Sequence, residues 1–108
     1  MTIRTATKEE MMLLWEYPDL KTASPTARFF FENISSGNAV FWTIEKDSEL
    51  IGELFVFKKL SDRDFADGAS TAYLCAFRIR EDHRGKGIGS LLLKHVLAVV
   101  KRIMTIFV

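Results

Sequence analysis

The run His83-Arg84-Gly85-Lys86-Gly87-Ile88-Gly89-Ser90 passes directly into Leu91-Leu92-Leu93-Lys94-His95-Val96, and it constrains this chain more than any other stretch. It places three glycines, two cations and a hydroxyl where an extended segment gives way to a helix. The backbone N–H groups of a helix's first turn have no intrahelical acceptor and together carry about half a positive charge, which suits them to bind phosphate. Glycine lets such a backbone approach an anion closely and take the positive φ angles that a looped cradle needs. The run therefore predicts a strand–loop–helix unit that seats a phosphate.

The elements before it alternate between helical and strand chemistry. Residues 2–6 read as a strand. Thr7 and Glu10 form a capping box opening a helix whose apolar face holds Met11, Leu14 and Trp15, and Pro18 is expected to end it. Ser24-Pro25 supplies an N-cap and a proline at the first helical position of a second helix, which carries Phe29, Phe30, Phe31 and Ile34 and stops at Gly37. Residues 39–46 alternate as a strand, 46–49 form a polar turn and 50–58 are its hairpin partner. Residues 60–70, with Asp62, Asp64, Asp67 and Gly68, read as a solvated loop, the rival reading being an acidic loop at Asp62–Asp67 that attracts a cationic amine. A strand over 71–80 is expected to show Tyr73, Cys75, Phe77 and Ile79 on one face. The helix after the glycines sets Leu92, Val96, Val99 and Ile103 against a core, and residues 104–108 read as a last strand.

Composition narrows the class. A chain of 108 residues, 48% of them apolar, predicts a single domain over 1–108 with one core. Fifteen basic and fourteen acidic residues leave a net charge near +1, which gives no electrostatic case for nucleic acid or for an anionic membrane. A lone Cys75 excludes an internal disulfide and a cysteine-rich zinc site. Lys94, His95, Lys101 and Arg102 interrupt the apolar stretch from Ile88 onward and argue against a membrane span. The first residues lack the pattern of a signal peptide, so a cytoplasmic location is expected.

Three nucleotide-binding patterns compete for the glycines. A Walker loop needs a spacing that is absent here. A Rossmann fingerprint needs Gly-x-Gly-x-x-Gly after the first strand, whereas Gly85, Gly87 and Gly89 alternate and come late. Arg84-Gly85-Lys86-Gly87-Ile88-Gly89, preceded by Phe77-Arg78-Ile79 and followed by a leucine-rich helix, resembles the acyl-CoA-binding motif of the GNAT acetyltransferase superfamily, written Arg/Gln-x-x-Gly-x-Gly/Ala. Arg84, Gly87 and Gly89 hold its defining positions, Ile79 stands where the family prefers Val, and Glu81 departs from a frequent Pro. The order strand–helix–helix–strand–strand–strand before the motif is also similar to the family. The alternative is a plain structural glycine loop.

The resemblance implies a mixed α/β sheet flanked by helices on both faces, and acetyl-CoA as cosubstrate. It implies that backbone N–H groups over Arg84, Gly85, Lys86, Gly87, Ile88, Gly89 and Ser90 hold the CoA pyrophosphate, with Lys86 either adding charge or simply solvated. Backbone groups of Phe77, Arg78 and Ile79 would take the amide-bearing pantetheine arm as an added strand, and one N–H there would face the acetyl carbonyl. The activity implied is acetyl transfer to a primary amine of a small molecule or peptide by direct attack, which requires a proton acceptor. Glu53, amid apolar neighbours on the second hairpin strand, is the candidate base, because burial raises its basicity. Its rival reading is an outward-facing strand glutamate.

Other residues carry less. Cys75 reads as core, His83 and His95 as exposed side chains without a third metal partner, and the Phe29–Phe31 cluster and Trp42 as core. Tyr17 and the 18–24 connection border the acceptor site by analogy. Family members usually continue with a helix and two more strands, so the resemblance implies a C-terminally truncated fold or a fragment of a longer enzyme, and it brings no general acid. The apolar edge of 104–108 predicts a homodimer. The rival function is a degenerate domain that binds CoA or a protein partner without efficient catalysis.

Overall fold

The computed structural model describes residues 1–60 and 71–100 and the backbone of 103–106. Five strands, β1 (Thr2–Ala6), β2 (Ala39–Lys46), β3 (Glu49–Phe57), β4 (Thr71–Ile79) and β5 (Ile103–Ile106), form one sheet in chain order. Strands β1 to β4 pair antiparallel with one another, while β5 runs parallel to β4. Helices α1 (Lys8–Leu14) and α2 (Pro25–Ser35) follow β1, and α3 (Ile88–Val100) joins β4 to β5. This is the mixed α/β sheet that the sequence predicts. The acidic residues Asp62, Asp64 and Asp67 lie outside the described residues, as do 107–108 of the expected last strand.

Local chemistry explains the helix starts. Thr7 Oγ1 accepts the Glu10 N–H at 3.1 Å and Glu10 Oε1 accepts the Thr7 N–H at 3.0 Å, a reciprocal capping box. Ser24 Oγ accepts the Ala27 N–H at 3.1 Å, with Pro25 opening α2. The end of α1 differs from expectation: the helix stops at Leu14 and Glu16 turns left-handed at φ 62°, before Pro18 is reached. Arg4 ties β1 to both neighbours, donating from Nη2 to Glu10 Oε2 and from Nε to Glu45 Oε1, each at 2.7 Å.

The sheet buries both faces. One face packs Phe41, Phe55 and Phe57 against Met11, Ala27 and Phe30 of α1 and α2. The other packs Ile44, Leu54, Val56 and Leu74 against Ile88, Leu92 and Val96 of α3. Helices on both faces leave little water contact for the central strands, whose burial supplies most of the driving force. Three consecutive phenylalanines on a helix cannot share one face, and Phe29 accordingly remains 48% exposed, stacked on Phe57 at 5.6 Å, while Phe30 is buried.

Candidate acyl-transfer site

The site is made by an interruption in β4. Glu53 pairs with Arg78 and Phe55 with Cys75, so two steps along β3 are matched by three along β4. The extra residue is a β-bulge, and Ala76 within this stretch sits at φ 51°, a left-handed angle that costs an alanine on the order of 1 kcal/mol. The bulge overturns the expectation that Tyr73, Cys75, Phe77 and Ile79 share a face. Tyr73 and Cys75 pack with the α1–α2 cluster, whereas Phe77 and Ile79 pack with the α3 cluster. Inversion of the alternation also brings Arg78 onto the α1–α2 side, next to Glu53.

Glu53 is 5% exposed. Its Oε1 accepts from Arg78 Nε at 2.6 Å and also pairs with Arg78 Nη2, while Oε2 accepts from Trp15 Nε1 at 3.2 Å. Burial pushes the carboxyl above the usual carboxylate range, against the opposing pull of the Arg78 charge and the two hydrogen bonds. The Arg78 side chain is 60% exposed, and its guanidinium carbon lies over the Trp15 ring at 5.6 Å. These groups face a cleft of about 840 Å³ bordered by Trp15, Tyr17 and Ser24 on one side and by β4 on the other.

The second half of β4 forms an open wall. The parallel pairing with β5 covers Thr71 to Leu74 only, so among the described residues 75–79 have a strand partner in β3 alone. Arg80 N–H donates to the Ile51 carbonyl at 2.8 Å, whereas the Ile79 carbonyl accepts from Arg84 Nε at 2.8 Å. Backbone groups alternate sides along a strand. Those of Ile79 and Phe77 therefore point to the open edge, and those of Arg78 turn toward β3.

Beyond β4 comes a turn of 3-10 helix (Glu81–His83), then the glycines, with φ +76° at both Gly85 and Gly87. Both angles lie in the left-handed region that glycine alone enters at no cost. Leu91 N–H donates to the Gly87 carbonyl at 3.2 Å, which leaves the earlier amides of Ile88, Gly89 and Ser90 as first-turn donors at the start of α3. Arg84 and Lys86 are exposed beside them. This donor set fits a pyrophosphate, and the open edge of β4 fits an amide-bearing arm, so the residues present suit CoA.

The remaining candidates separate cleanly. Cys75 is buried, and burial pushes its thiol up to about 12, so the core reading holds. His83 differs from expectation: its side chain is 17% exposed and its Nδ1 is buried with no hydrogen-bond partner among the described residues. His95 is exposed, its ring meeting Trp42 edge-on at 5.4 Å. Among the described residues no group of His, Cys, Asp and Glu is arranged to hold a metal ion, and no helix is long and apolar enough to cross a membrane. Sequence reasoning missed the side chains of Trp15 and Arg78, because it assigned the former to the core and used only the backbone of the latter.

A sequence model of the acetyltransferase (GNAT) family matches residues 5–107. The chain belongs to the GNAT family. Its fold is shared with solved GNAT-type structures. A predicted acetyltransferase from Clostridium acetobutylicum, solved with acetyl-CoA, aligns with TM-score 0.73 at 15% identity, covering 99% of this chain and 80% of that one. A GCN5-related N-acetyltransferase from Ralstonia eutropha aligns with TM-score 0.71 at 13% identity, covering 99% and 82%. Glucosamine-6-phosphate N-acetyltransferase from Arabidopsis thaliana aligns with TM-score 0.64 at 14% identity, covering 99% and 81%. No curated protein sequence matches the chain. For this GNAT chain, the family establishes acyl transfer from acetyl-CoA as the general chemistry.

Proposed function

We propose that this protein is an N-acetyltransferase that moves acetyl from acetyl-CoA to a primary amine of a small molecule or peptide, with Glu53 as its general base. The observation that carries the reading is a buried, raised carboxyl facing a cleft whose other wall is the open half of β4. Acetyl-CoA supplies the activated acyl carbon. The chain's own groups supply the rest. First-turn amides of α3, with the loop amides and the charges of Arg84 and Lys86, hold the pyrophosphate. Outward N–H groups of Phe77 and Ile79 align the amide arm and face the acyl oxygen, where a fixed donor is worth most as negative charge develops. Glu53 takes a proton from the incoming ammonium, directly or through one water.

The test is thiol release from acetyl-CoA over a panel of amines, run beside thermal shift with CoA. Stabilisation by CoA with amine-dependent thiol release supports the reading, and Glu53→Gln should keep the former and slow the latter by about 100-fold. Stabilisation without thiol release favours the second reading, a domain that binds CoA or a protein partner without efficient catalysis. The Arg78 pair occupying Glu53 Oε1 is the observation on that side. A homodimer through the β5 edge belongs to the same proposal, and a solution mass showing only monomer at micromolar concentration removes it.

A further inference from the structure

The acceptor's chemistry can be read from the pair at the base of the cleft, an inference that rests on the acetyltransferase reading above. Glu53 and Arg78 present a carboxylate and a guanidinium side by side. A simple ammonium brought to Glu53 would also meet the Arg78 cation, and the two would repel each other in a partly dry cleft. Arg78 is not saturated by Glu53. Nε and Nη2 are used on Oε1, while Nη1 has no acceptor among the described residues and the side chain is 60% exposed.

The other charged and titratable groups bordering the cleft offer no equivalent. Arg80 is held by Glu49 Oε2 at 2.7 Å and by Asp82, and Arg84 Nε is held by the Ile79 carbonyl. Glu16 lies exposed along the cleft with no ion pair among the described residues, and burial raises the Tyr73 phenol and the Cys75 thiol, which keeps both neutral. A dipole of this kind is complemented by its reverse. We propose that the acceptor is a zwitterionic amine, an α-amino acid or close analogue, whose carboxylate is received by Arg78 while its ammonium faces Glu53. The anion of the acceptor removes the repulsion that a plain amine would suffer, and it draws the fork away from Oε1, freeing the base at the moment the amine arrives. The adjacent wall of Trp15, Tyr17 and Phe30 is aromatic and selects an apolar side group.

Matched pairs test this: phenylalanine against phenethylamine, tryptophan against tryptamine, leucine against isoamylamine, each assayed by thiol release from acetyl-CoA. Each amino acid should exceed its decarboxylated partner in kcat/KM by about tenfold or more, the effect of one charge-assisted hydrogen bond. Arg78→Gln should reduce that ratio toward one, and Arg78→Lys, which keeps charge without the fork, should restore part of it. Calorimetric binding of the preferred amino acid to CoA-saturated protein should weaken in Arg78→Gln, with the CoA thermal shift confirming that the variant is folded. Decarboxylated amines that match or surpass the amino acids overturn the inference and leave the acetyltransferase reading standing. So does a preference that survives in Arg78→Gln. Absence of thiol release with every amine overturns both.

Discussion

The three glycines of the loop look interchangeable in the sequence, yet the structure assigns them different energetics, and alanine substitution separates them. At Gly85 and Gly87 φ is +76° and an added Cβ meets nothing within 4 Å, so the whole cost is conformational. A left-handed alanine costs roughly 1–2 kcal/mol. For a domain of this size about 1 kcal/mol lowers Tm by roughly 4–8 °C. Gly89 has no such angle; its added Cβ would sit 3.4 Å from Phe77 Cζ and 3.5 Å from Ile79 Cγ1, ordinary packing distances. Alanine is also the better helix former by about 1 kcal/mol, so Gly89→Ala should leave Tm unchanged or raise it. This agrees with the family motif, which accepts Gly or Ala at that position. Thermal melts by circular dichroism on the three single variants give the order directly. Calorimetry with CoA should show Gly85→Ala and Gly87→Ala losing about tenfold in affinity as one loop amide turns away. A Gly87→Ala variant that melts with the wild type, or a Gly89→Ala variant that melts below both others, would refute the reasoning.

Other outcomes follow from the same geometry. The proposed base role of Glu53 requires its ionised form, and burial raises its carboxyl, so kcat/KM should rise with pH through an acid limb set by the raised value and vanish below it; Glu53→Gln should abolish that limb. The Glu10 carboxyl is held at about 2, chiefly by the hydrogen bond from Arg4, so its stabilising contribution is intact above about pH 4.5 and is lost as pH falls toward 2. Denaturant titrations of Glu10→Gln across that window should show a flatter acid decline than wild type. Cys75, with its thiol pushed up to about 12, should ignore a thiol reagent at pH 8 in the folded protein and react fully in guanidinium. Leu92→Ala removes a fully buried side chain between α3 and the sheet and should cost about 2–5 kcal/mol by equilibrium unfolding.

Much of the fold was legible because it is written in local chemistry. The capping box at Thr7, the Ser24-Pro25 start and the positive angles at Gly85 and Gly87 depend on residues within three or four positions of one another. The burial of Glu53 followed from its apolar neighbours. What was not legible depends on partners distant in sequence. Residues 72–79 are apolar at every position but Arg78, and both faces of the sheet are covered, so periodicity reads the same with or without a bulge. The Glu53–Arg78–Trp15 cluster inherits that ambiguity, since it needs the bulge and the end of α1 to be right together. The shielded position of His83 likewise depends on how the loop folds back after the 3-10 turn.

The bulge at Ala76 makes β4 two half-strands of opposite phase. Were the same residues paired without the bulge, one uninterrupted alternation would run through β4 and exchange the contents of the two sides of the sheet. Arg78 would then be driven in among Leu92 and Val96, and Phe77 and Ile79 would rotate into the cleft beside Glu53. Deleting Ala76 does the reverse: two steps on β4 would match two on β3, and Arg78 would stay opposite Glu53 with the strain removed. The chemistry of this protein is thus stored in the register of a strand as much as in the letters along it.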